Sequence, residues 1–439
     1  MRRDVLLLQG PIGPFFSRLA EELVGRGFNV HKVNLNGGDK FFYPLAGAID
    51  YTGEVKHWDA FLERLIVNKN IGRVYLFGDC RIYHRIAREV AQRNDVRVFV
   101  FEEGYIRPNF ITLEENGVNG HSAMVKKSFT LPNVLQSTKE EKTFSINVFS
   151  RVAIYAIAYY WASKFRRGLF PDYQHHRDFR LISEGYHWIV SGIRKLRFQR
   201  IERRLLDNLL PEFAENYFVC PLQVHCDMQV VVHSNYNSIE HFIGDVLTSF
   251  AKHAPKNKAI VFKHHPLDRG YTDYTNLFNN LVSEHGLQGR VLYVHDLCLP
   301  TLLKHAQGTV VINSTVGMSS LFHGTPVKTL GKAIYDLTGI TYQASLKAFW
   351  KNSGEVDRDR FHRLRNYLVT ENQLNGNMYR AMDKDSASGL IWSDKLLAEH
   401  TYTEDRIDTP ATTPRLRVLI GGLDLNSSGD DGSESSKAA

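Results

Sequence analysis

Cysteine is scarce: Cys80, Cys220, Cys226 and Cys298 are the only four in 439 residues, and no two form a Cys-x-x-Cys pair. That excludes zinc-ribbon spacing, and a chain this long does not rely on a disulfide framework. The four are expected to be reduced thiols of a cytoplasmic protein. A Walker A phosphate loop is missing. Gly10-Pro11-Ile12-Gly13-Pro14 lacks the full G-x-G-x-x-G spacing, so a dinucleotide site is unsupported. The opening MRRDVLLLQGPIG has two arginines but too short an apolar run for a signal peptide, and reads as a first strand entering a tight loop. No strong excess of charge exists either. With 43% apolar and 23% charged residues, the chain is not wholly disordered, collagen-like or a multi-span membrane protein. The balance of 54 Lys+Arg against 47 Asp+Glu leaves a net charge of +7. A mild basic bias suits a polyanion, an anionic membrane surface or a nucleotide-linked acidic substrate, and does not choose among them.

What is present is a repeated strand–helix grammar. Val5–Leu8, Phe28–Leu35, Arg73–Phe77 and Val96–Phe101 read as strands, with helical spacing over Phe15–Val24, Trp58–Val67 and Tyr83–Gln92. The pattern returns after about residue 210. Strands are expected at Tyr217–Val224, Ala259–Lys263, Val291–His295, Thr309–Ile312 and Val327–Leu330, and helices between them. Continuous apolar strands alternating with amphipathic helices predict α/β architecture with parallel sheets covered on both faces. The chain therefore divides into Rossmann-like units at 1–125 and 211–345, a helical insertion at 126–210, helices packing back on the lobes at 346–425 and a disordered tail at 426–439. Within the insertion, Val148–Phe165 is aromatic and apolar, and basic residues follow from Lys164 to Arg204. This is the composition of an interfacial membrane anchor. A core helix beside a solvated basic helix is the alternative.

Ligands of such sheets bind at the carboxyl ends of strands, and four strand ends carry chemistry. Glu102-Glu103-Gly104-Tyr105-Ile106-Arg107 places two acids before a glycine turn, where one can exchange a proton with an acceptor hydroxyl; an ordinary acidic turn is the alternative. Asp227, in Gln223-Val224-His225-Cys226-Asp227, is a nucleophile or base, or a helix cap. Lys263-His264-His265-Pro266 offers donors to phosphate; adjacent histidines on an extended chain point to opposite sides, which disfavours a metal site. Asn313-Ser314-Thr315 opens a helix and can cap it, bind phosphate, or both. The D-x-D triplets Asp357-Arg358-Asp359 and Asp383-Lys384-Asp385 lie away from strand ends and are not expected to act.

Together, the acid-acid-Gly turn, the His-Pro turn and the Ser-Thr helix start resemble bacterial GT-B glycosyltransferases that use CMP-activated acidic sugars. Gln223-x-x-x-Asp227, Glu102-Glu103-Gly104-x-x-Arg107, Lys263-x-His265-Pro266 and Gly324-x-Pro326-Val327 are similar to motifs of the capsule polysaccharide synthesis family, which contains retaining β-Kdo transferases. The opening Gln9–Phe16, with Asn34–Gly38 and Glu103–Asn109, resembles its KpsS/LipB type. The resemblance spans about residues 1–400. It implies two Rossmann-like domains facing across a cleft, CMP-Kdo as donor and a phosphatidylglycerol-type lipid as acceptor. It implies Asp227 as nucleophile and Glu103, with Glu102, beside the acceptor. Lys263, His265, Pro266, Asn313, Ser314 and Thr315 would hold the CMP, and Gly10, Arg107, Gln223 and His264 would contact substrate. No essential divalent ion and no nucleic acid are expected. The expected location is peripheral, on the cytoplasmic face of the inner membrane, with other capsule synthesis or export proteins as possible partners. The His-Cys-Asp-Met context of Asp227 departs from the polymerising relatives, and so does the single two-domain unit. An inverting CMP-sialic acid transferase and a non-catalytic capsule assembly or export component are the competing readings.

Overall fold

Short β-branched and aromatic runs become strands buried on both faces, and the helices between them cover the sheets. The computed structural model describes residues 4–126, 128–132, 142, 149–175, 181–203, 205, 216–380 and 386–401. The first lobe is a seven-stranded sheet built from β1 (Asp4–Leu7), β2 (Asn29–Asn34), β3 (Ala48–Asp50), β4 (Ile71–Phe77), β5 (Arg97–Glu103), β6 (Phe110–Glu115) and β12 (Gln373–Asn375). Its order is β12-β6-β5-β4-β1-β2-β3, with β3 to β5 parallel and the last two strands antiparallel. The second lobe is a five-stranded parallel sheet of β7 (Tyr217–Pro221), β8 (Ala259–Lys263), β9 (Val291–Val294), β10 (Gly308–Val311) and β11 (Val327–Thr329), in the order β11-β10-β7-β8-β9. Both sheets grow outward from a central first strand, so each has a topological switch point where a crevice opens. These are the two Rossmann-like halves of a GT-B fold.

Two differences from the sequence expectation matter for the site. The strand expected to stop at Phe101 runs on through Glu103, because β6 folds back and pairs Glu102 with Thr112 and Glu103 with Ile111. The two acids are thus strand residues in a hairpin, not members of a free turn. The chain can bend there because residue 104 is glycine: a Cβ at that position would lie 2.0 Å from the Phe110 carbonyl oxygen. The strand expected over Tyr217–Val224 stops at Pro221, which frees Gln223 to face the crevice. In addition, β12 comes from the C-terminal part of the chain and closes the edge of the first sheet.

The insertion contributes two described helices, each held on a different lobe. Helix α1 (Phe149–Phe165) rests on the first lobe, where the buried Tyr159 hydroxyl meets Asn36 at 2.7 Å, Asp39 at 3.0 Å and Gln9 at 3.1 Å. Helix α2 (Leu181–Glu202) rests on the second. Arg194 donates to the carbonyls of Arg269 and Thr272, and Glu202 accepts the backbone N–H groups of His295 and Asp296, both at 2.8 Å. Away from those contacts both helices expose large apolar side chains, among them Ile154, Phe165, Ile189 and Ile193. Among the described residues no helix is long and apolar enough to cross a membrane. The expected disordered tail, 426–439, lies outside the described residues, as do Asp383 and Asp385.

Candidate active site

A cavity of about 840 Å³ lies between the lobes. It is lined from the first lobe by Glu102, Glu103 and Arg107, and from the second by Gln223, Asp227, His265, Asn313, Ser314 and Thr315. Strand-end residues more than 100 positions apart in sequence thus meet in one space, as switch-point geometry requires.

The second-lobe wall is a hydrogen-bonded unit. Asp227 caps the short helix Met228–His233, its Oδ1 accepting the Gln229 N–H at 2.9 Å. Its Oδ2 accepts from Gln223 Nε2 at 3.0 Å. The same Nε2 donates to Asn313 Oδ1 at 3.0 Å, and Asn313 Nδ2 donates to the Gln229 carbonyl at 2.8 Å. The capping reading of Asp227 holds, and the cap fixes a carboxylate that faces the cavity. His265 Nδ1 accepts the Leu267 N–H at 3.2 Å, which leaves the ring proton on Nε2. Burial lowers the pKa of this ring, so it is neutral near pH 7 and a donor through Nε2. Ser314 Oγ accepts from the Val316 N–H, while Thr315 makes no capping bond at the start of the helix Val316–Phe322.

The first-lobe wall concentrates charge. Burial, with the charge of Glu103 adding to it, pushes the Glu102 carboxyl up to about 7; the Glu103 backbone N–H, bonded to its Oε1 at 3.0 Å, acts in the opposite sense. Glu103 Oε1 accepts the Tyr379 hydroxyl at 2.8 Å. Arg107 is exposed at the mouth, with its Nε on the Gly104 carbonyl at 3.1 Å. Arg81, Arg85 and Lys332 also line the space. Of these, Arg81 and Arg85 follow β4, where the strand-end rule would have found them. Tyr379 carries no sequence signal, because it arrives on the returning C-terminal segment.

Four residues expected at the site do not line the cavity. Lys263 is buried and its Nζ donates to the His295 carbonyl at 3.2 Å; desolvation lowers its pKa. His264 is 1% exposed and its Nδ1 meets the Tyr293 hydroxyl at 2.7 Å, on the opposite side of the chain from His265. Pro266 is exposed at the turn beyond His265. Gly10 lies against the Phe16 ring in a separate small cavity with Lys32, Asp39 and Tyr159. Its carbonyl reaches the cleft only through Arg81, whose Nη1 is 3.5 Å away. Asp357 caps the helix Arg358–Glu371 at the Arg360 N–H, 2.9 Å away, and stands outside the cavity.

The chain is similar to several known proteins. A family model described as capsule polysaccharide biosynthesis protein matches residues 73–379. The capsule polysaccharide modification protein LipB of Neisseria meningitidis serogroup A is 40% identical over 386 residues, covering 86% of this chain and 91% of LipB. The capsule polysaccharide export protein KpsS of Escherichia coli is 39% identical over 380 residues, covering 86% of this chain and 97% of KpsS. Among solved structures, the beta Kdo 2,7 transferase part of Thermosulfurimonas dismutans KpsC matches with a TM-score of 0.42 at 15% identity, covering 90% of this chain and 97% of that one.

Proposed function

The chain belongs to the capsule polysaccharide biosynthesis family, and on that premise we propose that it is a retaining glycosyltransferase moving Kdo from CMP-Kdo to a phosphatidylglycerol-type lipid. The observation that carries the reading is the meeting of Asp227 with Glu102 and Glu103 in one interlobe cavity, beside His265 and Asn313–Thr315.

The geometry supports the following roles. Arg81, Arg85, Arg107 and Lys332 make the cleft cationic enough for a donor bearing a sugar carboxylate and a phosphate. His265 donates through Nε2 to the leaving phosphate, and the Ser314 and Thr315 hydroxyls lie beside it. Asp227, oriented by Gln223 and the Gln229 N–H, attacks the anomeric carbon as CMP departs and forms a glycosyl–enzyme ester. The acceptor hydroxyl then displaces Asp227, and Glu103 takes its proton. Inversion by a single displacement would need one acid only; a second carboxylate on the opposite wall favours the two-step route.

The insertion supplies the acceptor's surface. Exposed Ile154, Trp161, Phe165, Trp188 and Ile189 stand among Lys164, Arg166, Arg167, Lys195 and Arg197 on helices α1 and α2 and the turn that follows α1. Apolar anchors beside cations suit an anionic bilayer surface. The test is incubation of the purified chain with CMP-Kdo and vesicles containing phosphatidylglycerol. Expected are sedimentation with the vesicles at low salt and a β-linked Kdo-lipid product. Folded protein that yields no product overturns the reaction and favours an assembly component; an inverted product favours the single-displacement alternative. Absence of sedimentation overturns the surface assignment.

A further inference from the structure

We infer that Asp79, Cys80, His121 and His233 form a transition-metal site that bridges the two lobes. Asp79, Cys80, His121 and His233 come from three separate stretches of the chain, and one ligand atom from each residue lies within 4.8 Å of every other. Among the described residues this is the one such group of His, Cys, Asp and Glu. His121 Nδ1 is 2.9 Å from Asp79 Oδ2, and Cys80 Sγ is 3.8 Å from His233 Nε2 and 3.4 Å from the Asp79 carboxylate. A tetrahedral ion with bonds of about 2.0–2.3 Å needs ligand atoms roughly 3.3–3.8 Å apart. An ion replacing the proton shared by Asp79 and His121 would therefore move that pair about half an ångström apart and draw any pair near the 4.8 Å limit about 1 Å closer.

The surroundings are built for close approach. The His233 ring lies so near the backbone at Gly120 that a Cβ there would sit 2.3 Å from its Nδ1. Asp79 and His233 are buried, and the backbone N–H of Val118 donates to Asp79 Oδ2 at 3.2 Å, fixing the carboxylate. Arg88 Nη1 faces the same oxygen at 3.5 Å and His121 Nδ1 at 3.4 Å, while its Nη2 donates to the Asn116 carbonyl at 2.7 Å, so an ion would displace Arg88 from His121 and leave it bonded to Asn116. One carboxylate, one thiolate and two imidazoles neutralise a divalent cation and select borderline metals of the Zn²⁺ class over Mg²⁺ or Ca²⁺.

The ion would act as a clasp. Asp79 and Cys80 follow β4, and His121 follows β6, all in the first lobe; His233 ends the helix that Asp227 begins in the second. Metal binding would tie that helix to the first lobe and hold Asp227 opposite the β5 acids. This ion is distinct from any cation at the donor phosphates, and its detection does not depend on the transferase reading.

The test uses the full chain, stripped with chelator and titrated with Co²⁺. Wild type should develop a thiolate-to-cobalt charge-transfer band together with the visible bands of tetrahedral Co²⁺, and Zn²⁺ should displace both. Cys298→Ser, which removes an exposed thiol elsewhere, should keep the charge-transfer band; Cys80→Ser should lose it. His233→Ala should weaken binding by more than the roughly 10–100-fold that loss of an outer-shell partner costs. No band in wild type overturns the site. So does a band that survives in Cys80→Ser or vanishes in Cys298→Ser. Unchanged affinity in His233→Ala overturns the bridge between lobes.

Discussion

The two walls of the cleft hold the same functional group in opposite settings. On the first-lobe wall, Glu102 is crowded by burial and by Glu103, and its carboxyl is pushed up to about 7. On the second-lobe wall, Asp227 has donors on both oxygens, from Gln223 and from the Gln229 N–H. The first setting suits a group that gains and loses a proton near neutral pH. The second fixes a lone pair in space, as attack on a sugar carbon requires. The difference arises from secondary structure. The Glu102–Glu103 pair sits on a strand that β6 folds back against, whereas Asp227 sits at a helix start where free N–H groups converge.

The largest effect should come from removing the proposed nucleophile while keeping its helix cap, at the loss of the Gln223 Nε2 bond. Asp227→Asn preserves the N-cap, since asparagine caps as well as aspartate. We expect kcat for Kdo transfer to fall on the order of 10⁴-fold, with no Kdo adduct on the variant by mass spectrometry while wild type shows one. Turnover within about tenfold of wild type would erase the distinction between the walls. Next in size, Glu103→Gln should lower kcat by roughly 10²–10³-fold with little change in donor KM. The adduct should still form, because the first step does not use this residue. Loss of the adduct in Glu103→Gln would move the residue to the donor side.

Much of this contrast was legible in the sequence, and the exceptions have physical causes. The strand-end rule located Glu102, Asp227, His265 and Asn313 because a parallel sheet places all its carboxyl ends on one rim. It misassigned Lys263 and His264, which are the last strand residue and its neighbour and whose side chains turn into the core. Side-chain direction alternates along an extended chain, which separates His264 in the core from His265 at the cleft; Lys263 is withdrawn instead by its bond to the His295 carbonyl. Gly10 was drawn to the site by its motif, yet the loop packs on Phe16. The strand character of the acid pair depended on β6, whose antiparallel return no local periodicity announced. Tyr379 and the strand β12 come from a segment that rejoins the first lobe more than 250 residues later. Contacts of that span leave no local pattern.

The smallest effect, and the one specific to the first wall, is a pH-dependent stability. An unfolded glutamate titrates near 4.5 and Glu102 in the folded chain near 7. Between those values the folded state holds more protons than the unfolded one. Stability therefore falls as pH rises through the window, and the loss is complete above it. Glu102→Gln removes this contribution while keeping an acceptor for the Glu103 N–H. The variant should gain about 1–3 kcal/mol over wild type at pH 8, allowing for partial exposure, and little at pH 4. Glu114, raised to about 7 mainly by burial, adds the same slope to both proteins and cancels in the difference. Thermal unfolding across pH 4–8 reads this directly. A variant that loses more stability at pH 8 than at pH 4 would show that Glu102 is held charged, and the two walls would then not differ in the way their surroundings imply.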